Sequence, residues 1–447
     1  MKVPFKSTSM IDSFIDTQSR DSPYPERLTF STLPPVSNPP DVSSPVFFQT
    51  IVALNKPLVK FAVEGRVQAG STVGFVLDMF CSGMVDVADE LNVPSYIFFT
   101  SGVNMLNLLF YFQSLVDGKE VDISDEFNDP NVEFDVPGFE ARVKGSVVPA
   151  VFLDKENRSW MTLYQPRSFK KTKGILVNSF EELETYGIKA LFDQVAEGSI
   201  PRVYPVGPIL QPNNKSRGGS QEQADEEHSI MQWLDNQPSS SVVFLCFGSM
   251  GTFHESQVKE MANGIENSGH RFLWSLRKRP IEGKVWVPNK QETFVEALPD
   301  GFLERTADRG KIIGWAPQVS ILGHSSVGGF VSHCGWNSTL ESLWFGVPIA
   351  AWPLYAEQQL NAFELVKELG LAVDIRMDYR HDYKTKMQNF TVTAEEVENG
   401  VNKLMSLDEE GKDKYREMRD KSRKALEEGG SSHKWLRHFI EDVLTSE

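Results

Sequence analysis

The chain has 447 residues, more than one ordinary hydrophobic core holds, so its length favours two domains of roughly 200 residues each with a cleft between them. Forty-five basic residues against 61 acidic ones leave a formal charge of −16, which repels a phosphate backbone. No local basic patch offsets it, and nucleic acid is not expected as a partner.

Cys81, Cys246 and Cys334 lie far apart in apolar or motif-like stretches, so neither a disulfide framework nor a zinc site is expected and a reducing, cytoplasmic setting fits. The most apolar stretch, "VNMLNLLFYF", is interrupted by asparagines and too short to span a bilayer. Nothing at the N-terminus resembles a signal peptide.

Short β-branched or aromatic runs alternate with amphipathic stretches, the pattern of a parallel α/β sheet. In chain order the predicted strands are 27–34, 72–78, 94–100 and 174–180, then 241–247, 270–277, 311–315, 328–333 and 349–354. The polar segment "QPNNKSRGGSQEQADEEH", 211–228, reads as an exposed linker between an N-terminal domain, 1–210, and a C-terminal domain, 229–425. In the last segment, 426–447, Trp435, Phe439, Ile440 and Val443 have helical spacing, so this helix is expected to pack back on the N-terminal domain.

The hexapeptide "HCGWNS", 333–338, falls between the strand "GGFVSH" and a helix "STLESLWFG" stopped by Gly346 and Pro348. A strand's carboxyl end meeting a helix's amino end offers unpaired N–H groups and a favourable dipole to an anion, and open α/β sheets place ligands there. Gly335 would let the backbone approach, while His333, Asn337 and Ser338 add side-chain donors that suit a diphosphate. The same residues also allow a simpler reading, in which Ser338 and Glu341 form a capping box that only starts a helix.

Neighbouring segments point to the same edge. "SVVFLCFGSMGTF" runs a strand into a loop holding Gly248, Ser249 and Gly251, a second place for free backbone donors. "WAPQ", 315–318, puts an aromatic at a strand end, and "YAEQQ", 355–359, places Glu357 and Gln358 after the next strand. An aromatic plane, phosphate donors, a carboxylate for a ribose diol and an acid–amide pair for sugar hydroxyls together describe a nucleotide-sugar pocket.

From Trp315 to Gln358 the chain resembles the C-terminal signature of plant family 1 UDP-glycosyltransferases, and "VYPVGPIL", "WLDNQPSSSVVFLCFGSMG", "LPDGFLERT" and "LDMFCSGMVDVADELNVPSYIFFTS" extend the resemblance over nearly the whole chain. The resemblance implies the α/β GT-B architecture: two Rossmann-like parallel-sheet domains facing across a cleft. It implies that Trp315 stacks on uracil, the Ala316 backbone pairs with the base, and Gln318 and Glu341 hold the ribose. His333, Asn337, Ser338 and Ser249 would contact the diphosphate, and Trp336, Glu357 and Gln358 the sugar. Glutamate at 357 departs mildly from the family's aspartate but keeps the carboxylate, and Gln358 favours UDP-glucose over UDP-galactose. The implied donor is UDP-glucose, with no further cofactor. The implied acceptor is a small hydrophobic hydroxylated aglycone, such as a flavonoid, another phenolic or a terpenoid, and the chain is expected to be a monomer. No Asp-x-Asp occurs, so a metal has no obvious ligands, and stabilisation of the leaving UDP by the helix terminus and His333 is the consistent alternative.

Family members use a histidine near the N-terminus, oriented by an aspartate, to deprotonate the acceptor. Asp78 in "VLDMF" matches that aspartate, or else simply caps the next helix. The first histidine of this chain is His228, so the base has no counterpart. "MKVPF" resembles the tail of a second strand, as though the chain began roughly forty residues late, without a β-α-β unit. With strand order 3-2-1-4-5 the missing strands would lie between 27–34 and 72–78, a gap of two spacings of about 4.8 Å. Either the N-terminal sheet is open there or other segments close it. The alternative function is a catalytically inactive UDP-sugar-binding protein, and a dinucleotide oxidoreductase is disfavoured because no G-x-G-x-x-G follows a strand.

Overall fold

The computed structural model describes residues 9–22, 24–36, 47–70, 72–119, 122–153, 160–210, 221–278, 293–377, 379 and 390–445. Helix α1 (Phe47–Gln68) leads into an N-terminal sheet of β1 (Phe75–Asp78), β2 (Ser95–Phe99), β5 (Gly174–Val177) and β6 (Arg202–Pro205), all parallel and in the order β1-β2-β5-β6. Between β2 and β5 run helix α2 (Val103–Lys119) and a small antiparallel pair, β3 (Glu133–Phe134) with β4 (Val143–Lys144). These strands are short apolar runs covered by helices, as parallel sheets require.

After helix α3 (Gln221–Asp235) comes a second parallel sheet. Its strands are β7 (Val242–Cys246), β8 (Arg271–Ser275), β9 (Gly310–Ile313), β10 (Val327–Ser332), β11 (Ile349–Ala351) and β12 (Ala372–Asp374), in the order β12-β11-β10-β7-β8-β9. Three helices from this half matter below: α4 (Gln318–Leu322), α5 (Trp336–Phe345) and α6 (Gln358–Phe363). Leu360 and Phe363 of α6 join the apolar core of the N-terminal half, so the two halves share a seam. Among the described residues no helix is long and apolar enough to cross a membrane.

Several expectations need correction. Residues 27–34 form no strand: a short turn at Pro25–Arg27 gives way to irregular chain with an isolated bridge residue at Thr32. A β-prone run becomes a strand only beside a partner, and β1 pairs only with β2 among the described residues. Among the described residues the N-terminal sheet therefore ends at β1, where Val76 is 54% exposed. Met1–Phe5 lie outside the described residues. Of the expected linker, 211–220 also lie outside them, but 221–228 are the start of α3, whose Gln, Glu and Ala content favours helix over coil. Strands β6 and β12 were not anticipated.

The final helix, α7 (Ser431–Thr445), lies on β6. Trp435, Phe439 and Val443 pack on Tyr96, Leu176 and Tyr204, and Tyr204 Oη donates to Asp442 at 2.6 Å. Ile440, expected on the same stripe, is 48% exposed, because the apolar face is narrower than the spacing suggested.

Candidate functional site

Because β9, β8, β7, β10 and β11 are parallel neighbours, the segments after them emerge on one edge of the C-terminal sheet. Trp315 follows β9, Gly248 follows β7, His333 follows β10 and Glu357 follows β11. The topology therefore collects the four motifs that the sequence scatters over more than a hundred positions.

The hexapeptide forms the junction. Cys334 takes a left-handed backbone conformation, with φ of 59°, and its amide donates to Ser332 Oγ at 3.1 Å. The turn is held from the other side by Asn361 of α6, whose Nδ2 donates to the Cys334 carbonyl at 2.9 Å. Gly335 is the N-cap of α5 and no side chain caps it. The first backbone bond of the helix is Thr339 N–H to Gly335 O, so the amides of Trp336, Asn337 and Ser338 have no partner within the helix. The simpler reading of Ser338 and Glu341 as a capping box is not realised: Ser338 lies inside the first turn, and Glu341 binds Gln318 instead.

His333 is buried, and its ring occupies the space that two glycines leave open. A Cβ at Gly248 would stand 2.3 Å from His333 Nε2, and one at Gly335 would stand 2.6 Å from it. Gly335 is thus needed to admit the imidazole, in addition to any approach of an anion. Gly248 also has a φ of +70°, which glycine adopts at little cost. Burial, reinforced by the nearby Arg277 cation, lowers the His333 pKa to about 4, so the ring is neutral near pH 7. Its Nδ1 has no hydrogen-bond partner among the described residues.

Arg277 is the member of this site that sequence reasoning missed. It is 5% exposed, and its guanidinium donates to the carbonyls of Ser249 at 2.7 Å, Gly251 at 3.1 Å and Gly248. A planar fork of donors suits such convergent acceptors, and three carbonyls turned toward Arg277 fix how the 248–251 loop presents its opposite side. The available signal was a charge closing the apolar run "RFLWSLR" at the same sheet edge.

The remaining expected residues divide by what their side chains touch. Gln318 Nε2 donates to both Ser338 Oγ at 2.8 Å and Glu341 Oε2 at 2.7 Å, and burial raises the Glu341 pKa. Trp315 is half-buried and takes no part in the core clusters on the two faces of its sheet, and the Ala316 carbonyl accepts from Gln318 N–H at 2.8 Å. Ser249 is exposed at the loop tip. Gln358 Oε1 accepts from the amides of Leu354 and Tyr355 at 2.9 and 3.0 Å, which locks the turn carrying Glu357, whose own pKa is raised by burial. The Trp336 side chain points away from this edge: its Nε1–H donates to the Asn178 carbonyl of the N-terminal half at 2.7 Å, leaving only its backbone amide for a ligand.

Asp78 lies at the end of β1, in the other sheet. Its Oδ1 accepts from Phe80 N–H at 2.9 Å, so the capping interaction is made, and burial raises its pKa. The neighbouring Cys81 thiol is pushed up to about 11 by burial, with Asp78's charge adding to it. Among the described residues no group of His, Cys, Asp and Glu is arranged to hold a metal ion.

The family described as "UDP-glucoronosyl and UDP-glucosyl transferase" matches residues 190–411. UDP-glycosyltransferase 71A15 of Malus domestica is 49% identical over 95% of this chain and 89% of its own length. UDP-glucose flavonoid 3-O-glucosyltransferase 6 of Fragaria ananassa is 46% identical over 100% of this chain and 91% of its own. The solved structure of Medicago truncatula UGT71G1 complexed with UDP-glucose superposes with a TM-score of 0.84 at 39% identity, covering 99% of this chain and 90% of that one. The two facing parallel sheets are those of the GT-B architecture.

Proposed function

The chain belongs to the plant UDP-glycosyltransferase family, and from that premise we propose that it is a UDP-glucose-dependent, inverting O-glucosyltransferase for small hydroxylated plant aglycones, flavonoids foremost. The observation that carries the reading is the start of α5, where three amides without helical partners stand beside a neutral, glycine-walled imidazole. Such a cluster of donors meets the charge that accumulates on a departing diphosphate.

In this reading Trp315 stacks on the uracil, the Ala316 backbone pairs with it, and the Gln318–Glu341 pair receives the ribose. Ser249, His333, Asn337 and Ser338 surround the diphosphate. Glu357, Gln358 and the Trp336 amide receive the glucose hydroxyls. The flavonoid preference is supported by the activity for which the Fragaria relative is named, and the glucose preference by Gln358. We also propose that the chain acts as a cytoplasmic monomer, a setting with which its three free cysteines agree.

Inversion requires the acceptor oxygen to attack the anomeric carbon as the bond to UDP breaks, with its proton passing to a base. Asp78 sits at the sheet end assigned to the orienting aspartate, but no histidine precedes His228. A carboxylate, ordinarily near 4, is a poorer match to a phenol near 10 than a histidine is, and burial raises Asp78 from that ordinary value. This mismatch favours a second reading, in which the chain binds UDP-sugar without transfer. Calorimetry with UDP, together with chromatographic assay of flavonoid and UDP-glucose, separates the two: micromolar binding with product supports the transferase, and binding alone supports the second. Absence of UDP binding would sink both.

A further inference from the structure

Trp336 opens α5, yet its side chain belongs to the seam between the halves. It is 3% exposed, its Nε1–H ends on the Asn178 carbonyl, and its ring lies against Gly102. A Cβ at Gly102 would meet the indole at 2.9 Å and Glu184 Oε1 at 3.1 Å. Gly102 in turn leads into α2, whose Val103 and Asn104 amides donate to the Glu184 carboxylate at 2.9 and 2.8 Å. Asn104 Nδ2 then crosses the seam to Glu364 Oε1 at 2.8 Å.

Asn178 also lies beside the stretch by which the chain leaves the N-terminal half after β6. Its Oδ1 accepts from Ile209 N–H at 2.7 Å, and Gly207 close by accepts from Ser432 Oγ at the start of α7. The stretches 206–210 and 430–432 therefore meet beside Asn178, whose backbone carbonyl accepts from the indole. A buried indole N–H needs an acceptor, and Asn178, beside the chain crossing, supplies it.

We propose that the Trp336 side chain is a positioning residue that ties the amino end of α5 to the chain crossing beside Asn178, and so sets the distance between what α5 holds and the opposite sheet. The indole touches neither donor nor acceptor. Its position couples the two lobes, and the proposal rests on the reading that α5 holds the donor diphosphate.

The test uses paired spin labels at Lys189→Cys and Glu395→Cys, both exposed positions on opposite halves, in a Cys81→Ser background. Trp336→Phe keeps a smaller aromatic ring and loses the N–H. It is expected to broaden the interdomain distance distribution about twofold, with the UDP dissociation constant read beside it by calorimetry. Gly102→Ala presses the same ring from the other side, is expected to broaden the distribution likewise, and decides the matter if Trp336→Phe does not fold. Unchanged distributions overturn the proposal. So does a loss of UDP affinity beyond about tenfold at unchanged width, which would put the ring in the donor pocket. If the parent chain does not bind UDP, the donor reading fails while the distance measurement still decides the role of the ring.

Discussion

Gln318 and Glu341 stand on different elements, yet a 2.7 Å hydrogen bond from Gln318 Nε2 to Glu341 Oε2 joins them, and the same nitrogen reaches Ser338 Oγ at 2.8 Å. One amide thus ties the start of α4 to the first two turns of α5. Replacing Gln318 by alanine leaves the partly buried Glu341 carboxylate without this donor and takes away a candidate ribose contact. Calorimetry is expected to report UDP binding weakened by about 10- to 50-fold, or about 1.4–2.3 kcal/mol. An unchanged affinity would mean that the pair only braces the helix.

Gly335→Ala tests the space around His333. The φ of −62° at this position suits alanine, so the cost comes from the methyl group that would stand 2.6 Å from the imidazole. Denaturant unfolding is expected to show a loss of about 1–3 kcal/mol, with UDP affinity falling as the ring is displaced. Wild-type values for both would show that the imidazole moves aside freely.

Arg277→Met removes the donors that hold the Gly248, Ser249 and Gly251 carbonyls. Stability is expected to fall by about 1–3 kcal/mol. The His333 pKa, followed by NMR of the ring protons, should rise from about 4 but stay below the usual 6.5, because burial is its larger cause and the lost cation the smaller. Arg277→Lys should not restore the loop, since an ammonium lacks the planar fork. A His333 pKa that does not move would separate the two groups electrostatically.

The carboxyls of Glu184 and Glu364 are both buried in the seam, where burial raises both pKa values, and Glu184's charge raises that of Glu364 further. Serine, amide and backbone donors oppose this only in part, and Glu368 adds like charge. A carboxyl whose folded pKa lies above its unfolded value of 4.5 binds its proton more tightly in the fold. Its contribution is complete below 4.5 and is lost as pH rises through the folded value. Glu364→Gln keeps an oxygen for Asn104 and abolishes this titration, so its melting temperature should fall less than that of the parent between pH 5 and pH 8. Parallel pH profiles would remove Glu364 from the account.

Much of the candidate site was legible because its parts are local. "GGFVSH" followed by "CGWNS" announces a strand end meeting a helix start, and "WAPQ" and "YAEQQ" mark further strand ends, since periodicity and turn residues act over a few neighbours. Arg277 was not legible, because one arginine closing an apolar run looks the same whether it faces solvent or holds a loop. The strand expected at 27–34 failed for a related reason: its residues favour extended chain, but extension becomes a strand only where another strand lies alongside.

The sequence alone determined the alternation of strands and helices, the two-lobed parallel architecture and the short segments able to receive a nucleotide-sugar, because backbone preference and apolar spacing are properties of neighbours in the chain. The tertiary structure decided which way each side chain faces. It turned Trp336 from the sugar side into the seam, made Gly335 a space for an imidazole, set Asp78 as a cap and brought Arg277 under the 248–251 loop. Those outcomes depend on strand order and on contacts between residues far apart in the chain, and spacing along the sequence carries no record of either.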